Sequence, residues 1–372
     1  MIIVHRFNIK PTKEQEQKLF KTLTLCRRLY NTALEQREIC YRQRGKSPSC
    51  ATQKKELPAL KKALPEYKEV NAQVLQDCLQ RLDNAFERFF NGLAGYPRYK
   101  GREYYRSITY PQAYKQNHFK KPGHIYLPKI GYVKLNNHFE FDPLKITRIN
   151  VKFHNNKWYV NLTSETNEIE TMDVINKIGI DVGLLTFAAL SDGVKIENPK
   201  YFRNSERKLA KLQRQLSRKK KGSNNREKAK KKVTKLHDKI ANQRRDFLHK
   251  ISYKIVQKYD LIAVENLKVK NMIRNRHLSK SIADASWSRF INYLDYKCLK
   301  YGKTLIKVLA SGTSQACICG THVPKNLSVR IHKCPNCGLT ADRDVVSAMV
   351  ILQRACHIIG LEAPEFTPVE TV

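Results

Sequence analysis

Acidic side chains are scarce in this chain: its 372 residues hold 33 Asp and Glu against 70 Lys and Arg, a formal charge of +37. A compact fold with that excess repels itself unless a polyanion neutralises it, so nucleic acid is the leading partner. A basic membrane-surface protein would need a lipid anchor or an amphipathic anchoring helix, and neither is evident. No apolar run approaches the roughly 20 residues of a spanning helix. The opening Met-Ile-Ile-Val-His-Arg-Phe lacks the charged leader, apolar core and cleavage site of an export signal. A disulfide framework is also missing. Of ten cysteines, six (Cys26, Cys40, Cys50, Cys78, Cys298 and Cys356) are scattered, and four cluster between 317 and 337. That distribution fits a reducing cytoplasm and one metal site.

What is present is enough for two or three folded units: 41% of the residues are hydrophobic, which excludes wholesale disorder. Residues 2–9 alternate as a strand. Leu19, Leu23, Cys26, Tyr30 and Leu34 then recur at helical spacing, and Leu75, Leu79, Leu82, Phe86 and Phe90 mark a second helix over 69–92. Between them, 42–63 is polar, with Gly45, Pro48 and Pro58, and reads as a loop or frayed region. Beyond the turn at 95–97 the pattern changes to short strands, clearest in 145–163, where Asn155-Asn156 between apolar runs predicts a tight hairpin. The expected unit is β-rich, with its helices inserted after the first strand. From Lys177 the chain reads as α/β. Residues 206–254 hold 19 Lys and Arg against 4 acids, broken at Gly222-Ser223-Asn224-Asn225. An antiparallel helical hairpin is expected there, too one-sided in charge for self-paired surface and suited to a nucleic-acid backbone.

Three acids stand at the ends of apolar elements. Asp181 lies in Ile178-Gly179-Ile180-Asp181-Val182-Gly183, Glu265 ends Leu261-Ile262-Ala263-Val264, and Asp344 opens a helix through Met349, Val350 and Leu352. An acid at the end of a buried strand is costly unless something positive meets it. One alone is explained as a cap or an ion pair; three suit a shared magnesium site, because hard divalent ions take carboxylate oxygens and a pair of them clamps a phosphodiester. Cys317-Ile318-Cys319 and Cys334-Pro335-Asn336-Cys337 have the spacing of a zinc ribbon with four thiolate ligands, closed and therefore structural. His322 and His332 are spare candidates. Gln73, Gln76 and Gln80 line the helix face opposite Leu75 and Leu79; glutamine can read adenine or hold phosphate, and a merely solvated face is the ordinary alternative.

These motifs, in this order, resemble the TnpB family, the insertion-sequence (OrfB-type) RNA-guided DNA endonucleases related to type V CRISPR effectors. The resemblance spans nearly the whole chain: Gly179-Ile180-Asp181-Val182-Gly183, Val264-Glu265-Asn266-Leu267, Thr313-Ser314-Gln315 and Asp342-Arg343-Asp344, with Arg245-Asp246-Phe247-Leu248-His249-Lys250 and Asp83-Asn84-Ala85-Phe86 in support. It implies an α/β, RNase H-like (RuvC) core over 171–312 and 341–358, a zinc ribbon over 313–340, a small wedge-like β-barrel from 1–10 and 95–170, a helical recognition unit over 11–94, and a disordered tail over 359–372. It places Asp181, Glu265 and Asp344 at the catalytic triad, with Asp342 pointing elsewhere. It further implies a prokaryotic cytoplasmic enzyme with Mg2+ and Zn2+, a guide RNA from the transposon end and a double-stranded DNA target beside a short flanking motif. Val346-Ser347-Ala348 stands where the family commonly has Asn-Ala-Ala, and the first ribbon pair is C-x-C. A cleavage-deficient guided repressor and an RNA-independent RuvC-like resolvase are the alternatives.

Overall fold

The computed structural model describes residues 2–113, 118–136, 141–165, 169–275, 277–326 and 328–364. The chain divides into two compact units, Met1–Asn167 and Glu168–Val372.

In the first unit, β1 (Ile2–Lys10) is followed by α1 (Lys13–Arg44), α2 (Cys50–Lys55), α3 (Leu57–Ala63) and α4 (Ala72–Phe90). Then come β2 (Ser107–Tyr110), β3 (His124–Leu127), β4 (Gly131–Asn136), β5 (Ile146–His154) and β6 (Lys157–Glu165). The strands form one antiparallel sheet in the order β2-β5-β6-β1-β4-β3, so β1 pairs with strands that lie beyond the helices in sequence. No β2–β3 pairing among the described residues closes it into the expected barrel. Asn155 and Asn156, both at positive φ, make the β5–β6 hairpin as expected. Thr12 and Gln15 form a capping box on α1, whose stripe Leu19, Leu23, Cys26, Tyr30 and Leu34 is buried.

Two expectations fail here. The segment 42–63 is not a frayed loop. Ser49 caps α2, Pro58 sits at the start of α3 where a missing N–H costs nothing, and Cys50, Gln53 and Leu57 are buried. Phe90 belongs to no core face; it is 76% exposed at the end of α4, whose buried stripe stops at Phe86.

The second unit is a three-layer α/β arrangement. Its sheet has the order β11-β10-β7-β8-β9, from β7 (Lys177–Val182), β8 (Thr186–Leu190), β9 (Lys195–Glu197), β10 (Leu261–Glu265) and β11 (Thr304–Val308). β7, β10 and β11 run parallel, while β8 and β9 are antiparallel additions. The helices α5 (Tyr201–Ser217) and α6 (Asn224–Lys258) form the expected basic hairpin, zipped by Leu209, Leu236 and Ile240. Short α7 (Val269–Met272) and α8 (Ser279–Ala285) lead into α9 (Trp287–Lys300); β12 (Ile331–Lys333) and β13 (Thr340–Asp342) form a separate small hairpin before α10 (Arg343–Ile358). Of the expected tail, 365–372 lies outside the described residues.

Ile178, Ile180, Ile262 and Val264 share one core with Leu248, Ile255 and Val256 of α6 and with Phe290 and Leu294 of α9. On that side His249 stacks on Tyr293, ring centroids 4.0 Å apart. Burial, helped by Lys297 and Arg245, pushes the His249 pKa from 6.5 down to about 4. The folded protein therefore keeps the ring neutral while the unfolded chain protonates it, so stability is full above pH 6.5 and falls as pH drops towards 4. Comparing urea unfolding at pH 6.5 and 4.5, wild type should lose about 2 kcal/mol more than His249→Phe.

Candidate functional site

Side chains alternate across a strand. With Ile178, Ile180, Ile262 and Val264 directed at α6 and α9, the other faces of β7 and β10 turn Gly179, Asp181, Ala263 and Glu265 to the α10 side, where Leu261 and Ala263 pack with Ile351, Leu352 and Ala355. The parallel register pairs Ile180 with Val264, so Asp181 and Glu265 come next on neighbouring strands. Asp342 caps α10 by accepting from the Asp344 and Val345 amides at 2.9 and 3.4 Å, and its carboxylate also meets Lys195 Nζ at 2.7 Å. That leaves Asp344, in the first turn, as the acid turned to the strand ends.

The consequence is electrostatic. Burial, and then the charges of Glu265 and Asp344, hold the Asp181 carboxyl well above the usual carboxylate range, with Arg343 opposing. Burial likewise raises Glu265, against the Thr313 hydroxyl, which donates to it, and the charge of Arg354. Arg354 also ties down the loop before Thr313, donating to Leu309 O and Ser311 O at 3.1 and 2.8 Å. Arg343 reaches Asp344 Oδ1 through Nε and a terminal N–H at 3.2 and 3.0 Å. Thr313, Arg343 and Arg354 thus join the site. Thr313 and Arg343 stood inside the sequence motifs, but nothing local marked their contacts.

The ribbon cysteines are drawn together more tightly. The Sγ atoms of Cys317, Cys319, Cys334 and Cys337 all lie within 4.8 Å of one another, the one such group of three or more among the described residues, and could hold a metal ion. Each pair is folded by a backbone bond over a glycine at positive φ: Gly320 N to Cys317 O, and Gly338 N to Cys334 O. The Gly320 turn lets the shorter C-x-C reach the cluster. His322 contacts Gln315 and His332 contacts Lys325; neither belongs to the cluster.

A family profile described as "Probable transposase" matches residues 161–276, one described as "Cas12f1-like, TNB domain" matches 287–351, and one described as "Helix-turn-helix domain" matches 1–46. In this structure the last stretch is a strand followed by one long helix. A Streptomyces pristinaespiralis protein is 34% identical over 366 residues, covering 93% of this chain and 88% of its own. Escherichia coli K12 InsQ is 33% identical over 368 residues, covering 93% and 90%. Both are named, provisionally, RNA-guided DNA endonucleases. The chain belongs to the TnpB family. A TnpB-like protein of Acanthamoeba polyphaga mimivirus is 30% identical over 128 residues, 32% of this chain and 24% of that one. The fold is that of Cas12 effectors: a Cas12f1 chain solved with sgRNA and target DNA aligns with a TM-score of 0.58 at 16% identity, over 91% of this chain and 82% of that one.

The departure from the usual TnpB sequence at Val346 has a packing reason: the side chain is fully buried among Cys317, Val323, Cys334, Leu339 and Ala341, so it ties α10 to the ribbon. The glutamines are divided. Gln73 donates to Gln112 at 2.6 Å, Gln80 accepts from Lys54 Nζ at 2.7 Å, and Gln76 is exposed. No helix of the described residues is long and apolar enough to cross a membrane.

Proposed function

We propose that this protein is an RNA-guided, metal-dependent DNA endonuclease encoded by a transposable element, which uses a guide RNA from the element's end to cut double-stranded DNA beside a short flanking motif. The observation that carries the reading is the placing of Asp181, Glu265 and Asp344 at the ends of β7 and β10 and the start of α10, close enough that the last two act on the buried first. The strand order of their sheet supports an RNase H-like, RuvC-type core. A buried carboxyl raised in proton affinity by burial and by two neighbouring acids makes a site whose charge a hard divalent cation would relieve, and carboxylate oxygens are the ligands magnesium prefers. Bound there, two Mg2+ ions would supply an activated water and compensate charge on the leaving 3′ oxygen. Asp181 and Glu265 would hold the ions from the strand ends, Thr313 would fix the Glu265 rotamer, and Asp344 would complete the site once turned from Arg343. The cations of α5 and α6 would take backbone phosphates, and Gln73, Gln76 and Gln80 are proposed as nucleic-acid contacts.

Chain purified from cells and sequenced for its nucleic acid should carry one defined noncoding RNA, and the complex with Mg2+ should linearise a plasmid holding the matching sequence. Random host RNA removes the guided reading, and the absence of metal-dependent cutting removes the nuclease. The second reading, a guided repressor that no longer cuts, is favoured by the two hydrogen bonds that Arg343 donates to Asp344 Oδ1; in the same assay it binds the plasmid and leaves it intact.

The four thiolates are proposed as a closed structural zinc site. Metal analysis should find one zinc per chain and none in Cys334→Ser. That variant should cut roughly tenfold to a hundredfold more slowly, because the ribbon leads directly into Asp344. Its sheet should retain a cooperative thermal transition; zinc retained in full by the variant rejects the assignment.

A further inference from the structure

We infer that the cavity bounded by Ser314, Gln315, Lys325, Asn326 and Arg343 is a phosphate site that seats one backbone phosphate of the DNA strand beside the bond to be cut. The inference rests on the nuclease reading above. Among the described residues the lining holds two cations and no carboxylate. They act on each other as like charges: burial first, and then Arg343, hold the Lys325 ammonium below its ordinary pKa. Arg343 is ion-paired with Asp344 at 3.0 Å, so the charge that an anion in the cavity would relieve is chiefly that of Lys325, which no carboxylate among the described lining residues meets.

The neutral groups are also set to donate. Asn326 Oδ1 already accepts from the Ser328 amide, the Ser328 hydroxyl and the Val329 amide, at 3.1, 2.6 and 3.2 Å. Gln315 Oε1 faces the His322 ring at 3.2 Å. What these two amides have left to offer is N–H, and Ser314 adds a hydroxyl. Lys325 is held in place, because its ammonium, a donor only, bonds Nδ1 of the fully buried His332 ring.

Position gives the cavity its role. Thr313, next to Ser314, donates to Glu265, and Arg343 grips Asp344. The cavity wall therefore includes the partner of one acid, Arg343, and the chain neighbour of another's, Ser314. If Asp344 turns to a metal, the two N–H groups it now holds on Arg343 can pass to a phosphate, which accepts parallel N–H bonds. Lys325 and Arg343 are positioning residues in this scheme.

The test uses the full chain with its guide RNA and a target strand carrying a single neutral methylphosphonate, placed in turn at each phosphate around the cut. On unmodified DNA, Lys325→Gln should slow cleavage about tenfold, and Lys325→Arg should restore it. At one position the methylphosphonate should cost wild type about tenfold and cost Lys325→Gln nothing further. Losses that multiply at every position overturn the assignment, as does a Lys325→Gln variant that cuts at the wild-type rate. Crystals of the full chain soaked in selenate judge the anion site independently of cutting. An anomalous peak between Lys325 Nζ and the Arg343 guanidinium, absent from Lys325→Gln, supports the site; no peak in wild type overturns it. Cleavage of unmodified DNA by wild type tests the nuclease reading separately.

Discussion

Asp181→Ala should slow cleavage by the proposed guided complex roughly a thousandfold or more, while its affinity for RNA should stay within twofold of wild type. Asp181 is the acid on which the others act: the charges of Glu265 and Asp344 both raise its pKa, and burial raises it further. Removing it takes away the carboxylate that both of the others reach electrostatically, and with it a proposed ligand of the ions. It also removes like-charge repulsion that the fold otherwise bears, so the metal-free variant should melt a few degrees higher than wild type. Single-turnover cleavage, filter binding of the guide and a melting curve read the three effects together. Cutting at the wild-type rate removes Asp181 from the chemistry; equal loss of RNA binding makes its role structural.

Gly179→Ala has the largest expected effect on the fold. A Cβ there would lie 1.9 Å from the Ala348 carbonyl oxygen and 2.9 Å from Leu352 Cβ, both in α10. Backbone cannot rotate away as a side-chain tip does, and β7 is locked between β10 and β8. The helix must therefore retreat by more than an ångström. Overpacking of this kind costs about 3 kcal/mol. Asp344 rides on the first turn of the helix that moves, and a misplacement of about 1 Å in a catalytic group costs around a hundredfold in rate. Urea unfolding and cleavage rates on the same preparation should fall together; a variant as stable as wild type would mean that α10 does not pack on Gly179 as described.

Much of this site was legible in the chain because it breaks rules of burial. Asp181 follows the apolar run Ile178–Ile180 in β7, Glu265 ends the otherwise apolar β10, and Asp344 follows an acid, Asp342, that is spent on capping. Four thiols within 21 residues announce themselves in a chain whose other cysteines are scattered. What escaped had no local signal. Thr313 and Glu265 are 48 residues apart, and only the fold makes them partners. The helices of 50–63 were hidden because proline at a first turn looks, in sequence, like proline in a loop. Phe90 keeps helical spacing with the α4 stripe, yet spacing does not say where the covering partner ends, and among the described residues it meets the rings of Phe86 and Phe89 but stays exposed.

The acids enter the chain in the order 181, 265, 344, and α10, the element that brings the third, covers Gly179 only after the ribbon has been made. A nascent chain on the ribosome can therefore display two carboxylates at most until its final helix emerges. On the proposed reading, any product truncated by a premature stop before that helix would lack the third carboxylate and should not cut.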